Sequence, residues 1–131
     1  LAKAHKGGSG YTNKFIRYIG DHYAESLTPE DVASALGISY SYLRKIISTE
    51  MGTTFSAYLL GIRLEKMKEL LVNTTISQRD IAEQVGIGSE QTMYRLFKQY
   101  MGCSPGEYRK HPSADSTIAA ETADEYHESE E

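Results

Sequence analysis

Between residues 11 and 110 the apolar positions recur every three or four residues, and no stretch alternates in the manner of a half-buried strand. That period is the signature of α-helices that bury one face. Helix starts are well marked. Thr28-Pro29-Glu30-Asp31 places a capping hydroxyl, then proline at the first helical position, then acids against the helix dipole. Ser104-Pro105-Gly106-Glu107 has the same start, with Glu107 spaced to complete a capping box, and Ser77-Gln78-Arg79-Asp80 is a weaker version. Gly37, Gly52, Gly86 and Gly102 each follow an apolar periodic segment, where a helix end favours a residue tolerant of positive φ. The pattern predicts an all-α fold of seven helices, at about 13–25, 29–36, 40–51, 55–72, 78–85, 90–101 and 105–110.

The chain also repeats itself. Leu27 to Tyr58 and Ile76 to Tyr108 are two copies of one unit. The offset is 49 residues for Val32/Ile81, Ala33/Ala82, Leu36/Val85, Gly37/Gly86 and Ile38/Ile87. It becomes 50 for Leu43/Met93, Lys45/Arg95, Ile47/Phe97, Met51/Met101, Gly52/Gly102 and Tyr58/Tyr108, so the second copy holds one extra residue in its turn, most simply Gly88. Each copy reads as a helix, a short turn with glycine, and a second helix, with Ala33 or Ala82 allowing close approach. This is the helix-turn-helix pattern, whose second helix can enter the major groove of DNA.

The second helices divide into two faces. In 40–51, Leu43, Ile46, Ile47 and Met51 form the apolar side, while Ser41, Arg44, Lys45 and Ser48 share the other at helical spacing. In 90–101, Met93, Leu96, Phe97 and Tyr100 face inward, and Gln91, Tyr94, Arg95 and Lys98 repeat the outer spacing. Arg and Gln suit bidentate contacts with guanine and adenine edges, and Lys suits phosphate.

Composition permits this reading without establishing it. The formal net charge is −4, yet all 14 Lys and Arg residues lie at or before Lys110. Up to His111 they face 11 acidic residues, a net of +3, and the seven remaining acids lie beyond. A modestly basic body is compatible with DNA. No apolar run approaches the roughly 18–20 residues that cross a bilayer, so no membrane partner is expected. With Cys103 as its one cysteine the chain cannot form an internal disulfide, and the cytoplasm is the simplest compartment. No catalytic or metal constellation is present, since His5, His22, His111 and His127 are scattered. No enzyme activity and no cofactor are expected. Gly86-Ile87-Gly88 follows no strand and is a turn rather than a phosphate loop. The competing reading is a helical protein-interaction module that keeps the fold and lacks DNA binding.

Residues 11–111 resemble the DNA-binding domain of AraC/XylS-type bacterial transcription regulators. The resemblance is carried by Ile81-Ala82, Val85-Gly86, Tyr94-Arg95-Leu96-Phe97-Lys98 and the run from Gly102 to Arg109. The stretch Arg63 to Leu71 is similar to the family's connecting helix, although Met67 stands where a small residue is usual. Arg44-Lys45-Ile46-Ile47-Ser48 departs further from the family pattern. The resemblance implies two helix-turn-helix subdomains joined by one long helix, with each recognition helix in a major groove. It implies base contacts from Ser41, Arg44, Lys45, Gln91, Thr92 and Arg95. Ser48, Tyr94 and Lys98 are then assigned to the DNA backbone. It further implies RNA polymerase as a partner, and a sensor or receiver domain N-terminal to this one, for which the Leu1 start leaves room.

Three expectations remain. Residues 1–10, with Gly7-Gly8-Ser9-Gly10, read as a flexible linker or remnant, and residues 112–131 as an acidic, disordered tail able to compete with DNA phosphates for the basic surface. The connecting helix 55–72 carries two apolar rows, Phe55/Tyr58/Leu59/Ile62 and Leu60/Leu64/Met67/Leu71, one for each subdomain. At 1.5 Å per residue it is about 27 Å long, close to the roughly 34 Å between successive major grooves on one face of DNA.

Overall fold

The computed structural model describes residues 10–112, so the expectations for 1–9 and 113–131 lie outside the described residues. Among the described residues there are seven α-helices and no strand. They are α1 (Gly10–His22), α2 (Pro29–Leu36), α3 (Tyr40–Ile46), α4 (Phe55–Asn73), α5 (Gln78–Gln84), α6 (Glu90–Met101) and α7 (Pro105–Lys110). A π-helical turn, Ile47–Met51, continues α3. The chain divides into two compact units between Leu60 and Gly61, so α4 gives its first residues to one unit and the rest to the other.

The expected caps form. Thr28 accepts from the Asp31 amide, Ser77 from Asp80, and Ser104 with Glu107 makes a reciprocal capping box. Gly37, Gly52, Gly86 and Gly102 have φ of 76°, 67°, 86° and 80°, and no other type of residue among those described has positive φ. A β-carbon there would meet the following carbonyl, which is why glycine ends these segments.

In the first unit the core is Phe15, Ile19, Val32, Leu43, Ile46, Ile47 and Leu59, all buried. Phe15 lies 6.1 Å from the Phe55 ring and 5.5 Å from Tyr58, which fastens α1 to the start of α4. Burial of the first unit's Tyr58 pushes its hydroxyl pKa up. In the second unit Leu64, Met67, Leu71, Ile81, Val85, Met93, Phe97, Tyr100 and Tyr108 are buried. Phe97 meets Tyr108 edge-on at 5.4 Å. Fully burying one such side chain contributes about 1.5–3 kcal/mol. α1 presents Thr12, Phe15 and Ile19 to its unit at the same i, i+3, i+7 spacing at which α4 presents Leu64, Met67 and Leu71 to the other. The units therefore share a plan: a supporting helix, the two helices of the motif, and a closing helix.

Five boundaries, in four helices, differ from the sequence pattern. α1 starts and ends three residues earlier than expected. Its buried row opens with a polar residue, Thr12, and the chain turns off after His22, whose carbonyl accepts from the Glu25 amide at 2.9 Å. The expected helix 40–51 is α-helical only to Ile46, because Ile46, Ile47, Ser48 and Thr49 are weak helix formers and the Thr49 hydroxyl bonds back to the Lys45 carbonyl at 2.8 Å. α4 runs one residue further, to Asn73, and the Thr74 hydroxyl donates to the Leu70 carbonyl at 2.6 Å beyond it. α5 ends one residue early, with Val85 at φ −93° and ψ 1° as its cap.

Candidate nucleic-acid interface

Both turns are built on the same backbone hydrogen bonds. Gly37 N–H donates to Ser34 and Ile38 N–H to Ala33; Gly86 donates to Glu83 and Ile87 to Ala82, the same pairs 49 residues on. Ala33 and Ala82 are 2% and 1% exposed, so no larger side chain fits where the helices meet. The register changes to 50 at the start of the second helices, where Leu43 N–H donates to Ser39 and Met93 to Ser89. The extra residue thus falls at Gly88, between matched Ile87 and matched Ser89. Gly88 does not have positive φ and a β-carbon there would meet open space.

Serine caps aim both recognition helices. Ser39 accepts from the Tyr42 amide and Ser89 from the Thr92 amide. They satisfy orphan amides that the apolar periodicity did not reveal, although a serine just before each helix was the available signal.

The outer residues fall where helical spacing places them. Ser41, Arg44, Lys45 and Ser48 are exposed, and with Thr49 they line one shallow groove of about 350 Å³. Thr49 was absent from the expected set; the π turn brings it in. In the second unit Gln91, Tyr94, Arg95 and Lys98 are exposed, with Tyr94 at 45%. Thr92 is half-buried, and its hydroxyl oxygen accepts from Ser89 at 3.0 Å, which fixes its rotamer. Gln91 also borders an open groove of about 660 Å³ with Arg79 of α5, Gly88 and Glu90. Sequence reasoning passed over Arg79 because it lies on the other helix of the motif. Tyr42, 41% exposed on α3, lay outside the expected set, which followed only the i, i+3, i+4, i+7 row that starts at Ser41.

The second unit is buttressed from beneath. Arg109, half-buried, donates through Nε to the Leu71 carbonyl at 3.0 Å and through one terminal nitrogen to Thr74 at 3.2 Å and Ile76 at 2.8 Å. It thereby caps the end of α4 and fixes the link into α5. The Ser104 backbone N–H holds the Glu107 carboxyl below the usual carboxylate range, helped by the Ser104 hydroxyl and by the positive charges of Lys98 and Lys110. Among the described residues no three His, Cys, Asp or Glu side chains are grouped to hold a metal, and no helix is long and apolar enough to cross a membrane. Cys103 is half-buried.

A family model described as a helix-turn-helix domain matches residues 32–111. The chain is 36% identical over 94 residues to the xylose operon regulatory protein of Escherichia coli, covering 72% of this chain and 24% of that protein. It is 31% identical over 110 residues to the Msm operon regulatory protein of Streptococcus mutans, covering 84% and 40%. Among solved structures, the C-terminal domain of AraT, a response regulator from Geobacillus stearothermophilus, superposes with a TM-score of 0.74 at 38% identity, covering 78% of this chain and 85% of that one. The chain thus spans two fifths or less of the length of these curated relatives.

Proposed function

The chain belongs to the AraC-type helix-turn-helix family, and from that premise we propose that it is the sequence-specific, double-stranded-DNA-binding domain of a bacterial transcription regulator. The carrying observation is the doubled unit, in which two capped recognition helices on one hydrogen-bonded frame each expose a polar and basic row. A protein-interaction module would need no such row twice.

In this reading Ser41, Arg44 and Lys45 of α3, and Gln91, Thr92 and Arg95 of α6, meet base edges. Arg95 and Arg44 supply bidentate forks for guanine, and Gln91 pairs with adenine. Ser48, Tyr94 and Lys98 meet the DNA backbone and set register without reading sequence. α4, continuous over 19 residues and about 28 Å long, suits one chain that occupies two successive major grooves. The chemistry assigned to the domain is binding alone, with no catalysis and no cofactor, and its working compartment is the cytoplasm. Likeness to the response regulator AraT supports a receiver or other sensor elsewhere in a longer protein, and RNA polymerase is the partner that this reading assigns for reading out bound DNA.

A gel shift with genomic fragments and random duplexes, across a salt series, tests the proposal. Specific binding at physiological salt with a steep fall as salt rises supports it. The absence of any salt-sensitive binding overturns it and leaves the protein-interaction module.

A further inference from the structure

We propose that the first unit carries a phosphate-gripping flank outside its recognition row, made by Lys14 and Tyr11 of α1 together with Tyr42 of α3. The inference rests on the DNA-binding reading above and names what this surface touches: the backbone just beside the element read by α3.

Tyr42 occupies in α3 the place that Thr92 occupies in α6, counting from the serine caps Ser39 and Ser89. At 100° per residue it lies about 60° round the helix from Lys45, at the edge of the outer row and not in the core. It is 41% exposed, and neighbouring Tyr40 is 40% exposed. An exposed tyrosine beside a polar row needs a reason, and its surroundings supply one. The Tyr42 ring meets Tyr11 of α1 edge-on at 6.0 Å, and the Lys14 ammonium sits over the Tyr11 ring, 4.9 Å from its centroid. Lys14 is exposed, and neither the first turn of α1 nor α3 carries an acidic residue. The rings therefore hold an ammonium and a phenol against the flank of the recognition helix, and the nearby Glu50 carboxylate of the π turn accepts from the Thr12 hydroxyl. An ammonium and a phenol both donate hydrogen bonds to phosphodiester oxygen, and neither arrangement selects a base.

The test compares wild type with Lys14→Gln, Lys14→Arg and Tyr42→Phe on the duplex recovered with wild type, using salt titrations and phosphate-ethylation interference. Lys14→Gln should lower the slope of log affinity against log salt by about one unit, so that its deficit shrinks about threefold between 50 and 200 mM salt. Lys14→Arg should restore the slope. Interference should vanish at a phosphate flanking the first element for Lys14→Gln, and weaken there for Tyr42→Phe, while base preference stays unchanged. If wild type binds no DNA, the parent reading fails. If wild type binds but Lys14→Gln keeps its slope and interference pattern, the flank faces something other than DNA and this inference is overturned. Exposed Lys14 carries no core contact, and equal melting temperatures of the variants check that folding is intact.

Discussion

In the first unit the recognition helix loosens into a π turn at Ile47–Met51, and the buried Thr12 hydroxyl donates to Glu50 in that turn. In the second, α6 stays α-helical to Met101, and the places of Thr12 and Glu50 are taken by Leu64 and Tyr100, both buried. Yet in both recognition segments the closing glycine lies 13 positions after the serine cap, Ser39 to Gly52 and Ser89 to Gly102. The frame is common and the manner of holding it differs. One unit secures its helix end through a hydrogen bond from buried Thr12 to exposed Glu50, which is directional. The other relies on apolar packing and on Arg109, which ties the supporting helix and the following link to α7. Caps, glycines and alanines specify the turn, and the side chains around it are free to give each unit its own surface.

Breaking the second unit's tie should have the largest effect. Arg109→Ala removes three charge-assisted bonds from the carbonyls of Leu71, Thr74 and Ile76, and a loss of about 3 kcal/mol in urea unfolding is expected. Lysine has one compact ammonium in place of a planar fork, so Arg109→Lys should recover less than half. Full recovery by lysine would show that charge alone, and not the fork, makes the tie.

Next come the reading faces. Arg95→Ala should weaken specific binding by about 1–3 kcal/mol and relax preference at one base pair of the element read by α6. Lys98→Ala should weaken binding to specific and random DNA alike and lower the salt slope by about one unit. Equal losses for both variants on both DNAs, measured by fluorescence anisotropy, would contradict this division of roles.

The two turns differ by Gly88, and paired substitutions sharpen that difference. Gly86→Ala, at φ 86°, should destabilise by about 1–2 kcal/mol. Gly88→Ala, into open space without positive φ, should be neutral or stabilise by about 0.5 kcal/mol. Opposite signs in the two unfolding curves are expected.

The smallest effect belongs to the capping box on α7. The folded Glu107 carboxyl titrates below its ordinary value. Its contribution is therefore fully present above the ordinary carboxylate range and is lost as pH falls through the lowered folded value. The melting-temperature gap between wild type and Glu107→Gln should be flat above about pH 6 and narrow below about pH 4. A gap independent of pH would remove the carboxylate from the cap.

Much of this was legible because its physical causes are local. A serine or threonine three residues before an amide it can cap, a glycine where φ must be positive, and an apolar residue every third or fourth position can all be read without tertiary knowledge. The offset change from 49 to 50 even located the extra residue at Gly88, which the hydrogen bonds of Ile87 and Met93 bracket. The exposed rows from Ser41 to Ser48 and from Gln91 to Lys98 follow from the same periodicity. What was hidden depends on contacts between distant residues. Thr12 reads as a surface residue until Glu50 meets it, Arg109 as another surface charge until three carbonyls 33–38 residues away converge on it, and Tyr42 as a lone aromatic until Tyr11 lies edge-on beside it with Lys14 over the Tyr11 ring. The π turn was partly foreseeable from β-branched Ile46, Ile47 and Thr49, but the periodicity of apolar positions does not distinguish it from an α-helical turn.

The central claim is that one chain reads two different elements, one with each unit, about one DNA turn apart. Selecting duplexes with the monomeric domain, then inserting 5 base pairs between the two recovered elements, tests it most directly. A non-palindromic, two-part site is expected. The insertion should abolish tight binding, because it turns one element to the opposite face of the duplex. A single protected element of about 5 base pairs, or undiminished affinity after the insertion, would contradict the account.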